Sequence, residues 1–133
     1  MNDTSRTLSL PAALRAQLWA HARAEAPREC VGLLGGRAGA VLALYPLANV
    51  APDPERAYRA DALELLRAFK ALRREHTDLV GIYHSHPHGP PTPSFEDVRL
   101  AQYRVPYLIA DLQGETLRAF LLPERAEVRV VVA

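Results

Sequence analysis

The chain predicts an α+β fold: a mixed β-sheet flanked by helices, in an α/β/α three-layer arrangement. Three observations carry this. Segments with apolar residues at helical spacing alternate with short apolar runs rich in β-branched residues, and Gly, Pro and Asp punctuate them. Their order reads β-α-β-β-α-β-α-β-β-β. The length of 133 residues, with 49% hydrophobic and 23% charged, suffices to bury one core without staples, so residues 1–133 are read as a single domain. The order of strands within the sheet is not legible at this level.

Taken in order, Thr7 to Leu10 reads as a short first strand. Pro11 suits the first turn of a helix running to about Ala26, with Leu14, Leu18 and Ala22 on one face, and Pro27 ends it. Glu29 to Gly35 is a short apolar strand headed by a carboxylate, and Gly35-Gly36 with Gly39 suggest a hairpin into Val41–Tyr45. Ala51 to Glu55 is a proline-bearing loop. Asp61 followed by Glu64 resembles a capping box, opening a helix to about Glu75 whose apolar face is Ala62, Leu65, Leu66, Phe69 and Leu72. Leu79 to Tyr83 is a buried strand that runs into His84-Ser85-His86 and is stopped by Pro87. After the loop holding Gly89, Pro90, Pro91 and Pro93 comes a short helix from Phe95 to about Gln102. Val105–Ala110, Thr116–Leu122 and Val128–Val132 complete the strands, with a turn at Gln113-Gly114.

Composition narrows the function classes. A net charge of +1, with arginines scattered and Lys70 the only lysine, gives no electrostatic footprint for nucleic acid. Cys30 is alone, which excludes an intrachain disulfide and any multi-cysteine zinc site. No stretch in Met1–Leu10 has the apolar core of a signal peptide, and no segment approaches a membrane span, so a cytoplasmic protein is the simplest expectation.

The chemistry concentrates around the third strand–helix junction. On a strand, residues i and i+2 share a face, so His84 and His86 present their imidazoles side by side. Burying two unpaired imidazoles is costly unless something coordinates or hydrogen-bonds them. Ser94 opens the next helix and Asp97 falls in its first turn, which returns a carboxylate toward the pair. Both residues also read as plain helix-capping groups, and the two roles are compatible, since a capped helix start aims Asp97 rigidly. His21 and His76 read as exposed helix residues; His88 is a weaker third ligand candidate, and Ser85 points to the opposite face. Two histidines and an aspartate leave a fourth position for water, the composition of a catalytic zinc site rather than a closed structural one. Such a site needs a proton carrier, and Glu29, heading its apolar strand, is the candidate, though a solvated strand-start residue would look the same.

The run Pro27-Arg28-Glu29-Cys30-Val31-Gly32-Leu33-Leu34-Gly35-Gly36, with His84-Ser85-His86, Ser94 and Asp97, resembles the JAMM (MPN+) metalloprotease signature in its short prokaryotic form. That signature is a distal Glu, then His-x-His, seven residues, Ser, two residues, Asp, and every position is filled at the right spacing. The resemblance implies the JAMM/MPN fold, akin to the cytidine-deaminase type of three-layer fold. It implies that His84, His86 and Asp97 bind Zn2+. Glu29 would act as general base toward the metal's water and later pass the proton to the leaving amine; Ser94 would help stabilise the oxyanion. It further implies hydrolysis of a peptide or isopeptide bond at the C-terminal diglycine tail of a ubiquitin-like or sulfur-carrier protein, with release of cysteine from a carrier-protein adduct as an alternative. The resemblance allows a homodimer. The short length leaves little room for the insertions with which larger relatives grip a second ubiquitin. Two other readings stand beside it. A non-catalytic MPN scaffold would have lost ligands, and none is lost here. A non-haem iron oxygenase also uses two histidines and a carboxylate, but would leave Glu29 and Ser94 without a role; a zinc deaminase needs a Cys-x-x-Cys pair that one cysteine cannot supply.

Overall fold

In the computed structural model, which describes residues 7–132, the expected element order is reproduced. It runs β1 (Thr7–Ser9), α1 (Ala12–Glu25), β2 (Val31–Arg37), β3 (Ala40–Leu47), α2 (Ala62–Arg74), β4 (Asp78–His86), α3 (Phe95–Leu100), β5 (Tyr107–Asp111), β6 (Thr116–Leu121) and β7 (Ala126–Val131). Residues 1–6, part of the stretch read above for a leader, lie outside the described residues. No helix among the described residues is long and apolar enough to cross a membrane.

The strands form one mixed sheet in the order β1-β3-β2-β4-β5-β6-β7, and β1 closes it into a ring by pairing in parallel with both β7 and β3. The closure is slight at one seam, because β1 meets β3 only at Ser9↔Ala40. The central pair is antiparallel β2–β4, and β5 joins β4 in parallel. Alternation along the strands then sorts side chains into two apolar layers. Leu34, Val80, Tyr83, Leu108, Ala119 and Val128 pack with Leu18, Trp19 and Ala22 of α1 on one face. Val31, Leu33, Ile82, Tyr107, Ile109 and Phe120 pack with Leu65, Ala68 and Phe69 of α2 and Val98 of α3 on the other. Helices on both faces of the sheet make the three layers.

Four local expectations are corrected. The β2–β3 turn is Ala38-Gly39, both with positive φ (50° and 78°), while Gly35 and Gly36 lie inside β2 at register shifts. They are needed there for close approach: a Cβ on Gly36 would sit 1.9 Å from the Ala40 carbonyl oxygen. On α2, Ala62 and Leu66 are exposed; Leu66 lies ~100° round the axis from Leu65, off the stripe of Leu65, Ala68, Phe69 and Leu72 that meets the sheet. The cap of α2 is half of a box. Asp61 accepts from the Glu64 N–H (3.0 Å), but the Glu64 carboxylate turns away to accept from the Ala48 N–H (2.7 Å). Finally, His21 is half-buried, its Nδ1 2.8 Å from the Tyr83 hydroxyl, because α1 lies flat on the face where Tyr83 projects. Burial there pulls the His21 pKa down, against the charge of Glu25.

Candidate metal centre

Strand β4 carries His84 and His86 to the α2/α3 face, both buried. Their neighbour is set by register. Val31 on β2 pairs with His84, so two residues back along the antiparallel ladder Glu29 arrives opposite His86, on the same face. Between them Ser85 points to the other face, where its Oγ accepts from the Cys30 N–H at 2.7 Å. This removes Ser85 from the site and pins the Glu29 segment to the histidine strand.

The fourth group comes from α3. Ser94 and Asp97 form a full capping box: Ser94 Oγ accepts from the Asp97 N–H (3.0 Å) and Asp97 Oδ2 from the Ser94 N–H (2.8 Å). The capping reading of Asp97 is therefore realised, through its Oδ2. That same Oδ2 lies 3.2 Å from His84 Nε2 and 3.0 Å from His86 Nε2, which are 3.2 Å from each other. Donors around a tetrahedral cation with bonds of ~2.0–2.1 Å stand ~3.3 Å apart, so this triangle fits such an ion. His86 Nδ1 lies 2.7 Å from the Pro90 carbonyl; donating there leaves Nε2 facing the others, with a proton for Asp97 when the ring is charged and a lone pair for a metal when it is neutral. Glu29, His84 and His86 also offer ligand atoms within 4.8 Å of one another. The site thus has two carboxylates competing for one place. His88, by contrast, is exposed beyond the strand.

Electrostatics separates the two carboxylates. Glu29 is 5% exposed, and burial, opposed by His86 and reinforced by Asp97, pushes its pKa up to about 8. Asp97 is equally buried, but the His84 charge and hydrogen bonds from His84, His86 and the Ser94 N–H overcome that burial and hold it well below the usual carboxylate range. His86 is raised, its burial outweighed by the bonds to Asp97 and Pro90. The two acids are thus pushed apart, Glu29 toward holding a proton and Asp97 toward staying ionised. Among the described residues, Glu29 Oε1 and His84 Nδ1 are the buried side-chain polar atoms that lack a hydrogen-bond partner.

One consequence is a pH-dependent stability of the chelator-treated protein. Because the folded pKa of Glu29 (about 8) exceeds its reference value of 4.5, the stability Glu29 contributes is complete below about pH 4.5 and lost as pH rises through 8. Glu29→Gln, which cannot ionise, is expected to raise the melting temperature of the metal-free protein by about 3 °C or more at pH 8.5, and to leave it unchanged at pH 4.5. Equal shifts at both pH values would contradict the buried, proton-holding Glu29.

Two residues escape the sequence reading. Tyr58, in the segment after β3, stacks on the His84 imidazole (centroids 4.5 Å, planes 27° apart). Asn49 organises that segment; an Asn just ahead of a proline-rich loop is a turn signal, but nothing local says what the turn would face. Beside Tyr58 opens a groove of about 440 Å³, lined by Val31, Leu33, Leu47, Tyr58, Leu100 and Tyr103, with Arg59, Glu96 and Arg99 among its polar residues.

Residues 11–123 match the family model for prokaryotic homologs of the JAB domain. The chain belongs to this prokaryotic JAB family, the JAMM/MPN proteins. It is 51% identical over 125 residues, 94% of the chain and 82% of the relative, to a probable TtuB-protein conjugate cleaving protease of Thermus thermophilus. It is 39% identical over 118 residues, 84% of the chain and 85% of the relative, to a desampylase of Haloferax volcanii. The solution structure of protein DSY2949 from Desulfitobacterium hafniense superposes with a TM-score of 0.84 at 34% identity, covering 95% of this chain and 92% of that one. This JAMM/MPN domain is a JAMM-type hydrolase, its family implies a metal, and Glu29, His84 and His86 could hold one.

Proposed function

We propose that this JAMM/MPN protein is a zinc-dependent metallopeptidase that cleaves the peptide or isopeptide bond at the C-terminal diglycine tail of a ubiquitin-like or sulfur-carrier protein. The observation that carries the proposal is the convergence of His84 Nε2, His86 Nε2 and Asp97 Oδ2 to 3.0–3.2 Å, with an unpartnered Glu29 carboxylate oxygen beside them. His84, His86 and Asp97 hold the metal, and Glu29 does not. Asp97 Oδ2 is already fixed by the Ser94 N–H, whereas Glu29 Oε1 is free to handle a proton. Bound there, a zinc ion supplies a water activated at neutral pH and Lewis acidity toward the scissile carbonyl. Glu29 takes the proton from the attacking water and returns it to the leaving amine. The Ser94 hydroxyl accepts from the Asp97 N–H, which leaves its own proton for the oxyanion.

The groove supports an extended tail as substrate. Its apolar floor suits the residues leading to the glycines, and glycines let the backbone approach the site closely. The relatives named for cleaving TtuB conjugates and for desampylation favour the same class of bond. The proposed setting is the cytoplasm, in keeping with a lone, buried and unpaired Cys30. The test is to incubate the zinc-loaded protein with diglycine-ended carriers bearing a C-terminal extension or an isopeptide-linked lysine, and to read intact masses. Cleavage directly after the glycines, abolished by chelation and restored by zinc, is expected. Cleavage indifferent to chelation, or a panel left intact by the zinc-loaded protein, would overturn the proposal.

A further inference from the structure

Glu29 stands outside every helix and strand, between the end of α1 at Glu25 and the start of β2 at Val31. Its main chain is gripped by the 49–60 segment instead. The Glu29 N–H donates to the Pro54 carbonyl (2.7 Å), and the Glu29 carbonyl accepts from Asn49 Nδ2 (2.9 Å). The Asn49 side chain does more than this. Its Oδ1 accepts from the Ala51 N–H and the Arg59 N–H, both at 3.0 Å, and its Nδ2 donates to the Ala57 carbonyl at 3.0 Å, with the Pro54 carbonyl at 3.4 Å. With amide hydrogens on one side and carbonyls on the other, the side chain fits only one way round.

Two results follow from that single amide. It closes the segment on itself and ties the closed segment to Glu29. It also holds the residues on either side of Tyr58, the Ala57 carbonyl and the Arg59 N–H, so the Tyr58 ring is laid on His84. His84 Nδ1 has no hydrogen-bond partner, unlike His86 Nδ1 with Pro90. Tyr58 stacks on one face of the His84 imidazole, and the His86 ring meets it edge-on.

We infer that Asn49 is a positioning residue for the hydrolysis, setting the Glu29 carboxylate over the site from the main-chain side. The inference rests on the reading of Glu29 as the proton carrier. A displacement of ~1 Å in such a group costs about 10²-fold in rate, which is the effect expected of releasing the clamp.

The experiment places Asn49→Ala and Asn49→Asp in both the wild-type and the Glu29→Gln backgrounds. Each protein is tested zinc-loaded, on an extended diglycine carrier, with single-turnover rates where turnover is slow. Asn49→Asp keeps the acceptor for Ala51 and Arg59 but has no donor for Glu29, so it remains informative if the alanine variant folds poorly. In the wild-type background kcat is expected to fall about 10²-fold with KM moving less than about threefold; in the Glu29→Gln background the same changes should cost less than about threefold. Independently of activity, amide exchange at Glu29 should speed at least about tenfold while Leu33 and Leu34 keep their protection. The cobalt-loaded variants should retain the wild-type d–d spectrum. An equal loss in both backgrounds, an unchanged kcat, unchanged Glu29 exchange, or a spectrum altered as in Asp97→Asn would each overturn the positioning role alone. Wild-type turnover by Glu29→Gln itself would overturn the reading beneath it as well.

Discussion

Glu29→Gln is expected to bind zinc as the wild type does and to lose about 10²–10⁴-fold in kcat/KM, the range spanned by a positioned general base. The substitution is nearly isosteric, and the three convergent donors at 3.0–3.2 Å do not include Glu29, so the metal content should not move. What is removed is a carboxylate that burial has made a strong proton acceptor, with an oxygen bonded to nothing. In the zinc-loaded wild type, activity should rise with pH as the Glu29 carboxyl ionises, at a pH below the metal-free value of about 8 because a nearby cation favours the carboxylate; that contribution to the acid limb should be missing in the Gln variant. Metal analysis together with rates on an extended diglycine carrier checks the assignment. Turnover within about threefold of wild type, or loss of zinc, would give Glu29 a different role.

Asp97→Asn is expected to do the opposite: abolish activity by releasing the metal while leaving the fold in place. Asp97 Oδ2 is shared by the Ser94 N–H and both imidazoles. An amide oxygen still accepts from the Ser94 N–H, so α3 stays capped. It brings no charge, however, and its loss should weaken zinc affinity beyond the ~10–100-fold typical of mutating an outer partner. Asp97→Ala goes further and also removes the bond from the Ser94 N–H, half of the capping box, at a further cost of about 0.5–1.5 kcal/mol in stability. Comparing zinc affinity and melting temperature across the two variants separates the ligand from the cap. Equal stability of the two would mean that the cap contributes nothing.

The sequence legibility of this site follows the range of the interactions involved. The shared face of His84 and His86 and the first-turn placement of Asp97 depend on strand and helix periods over a few residues, and both appear as expected. The order of the ten elements is legible for the same reason. The face of α2 is misjudged at Ala62 and Leu66 because a wide apolar stripe does not say where the sheet will touch it. His21 is misplaced because Tyr83, its partner, is sixty-two residues away. Tyr58 and Asn49 give no local sign of function; their meaning comes from what lies opposite them.

By itself, then, the sequence determined the elements, the pairing of two imidazoles and the return of a carboxylate, because backbone periodicity and capping are local. Its motif spacing also pointed to Glu29 by resemblance. Only the tertiary structure decided that Glu29 meets His86, through the antiparallel register that sets Val31 against His84. It alone showed that β1 closes the sheet and that the 49–60 segment holds Glu29 and Tyr58 in place. Strand register and long-range hydrogen bonds are fixed by the packing of the whole core, and no local pattern encodes them.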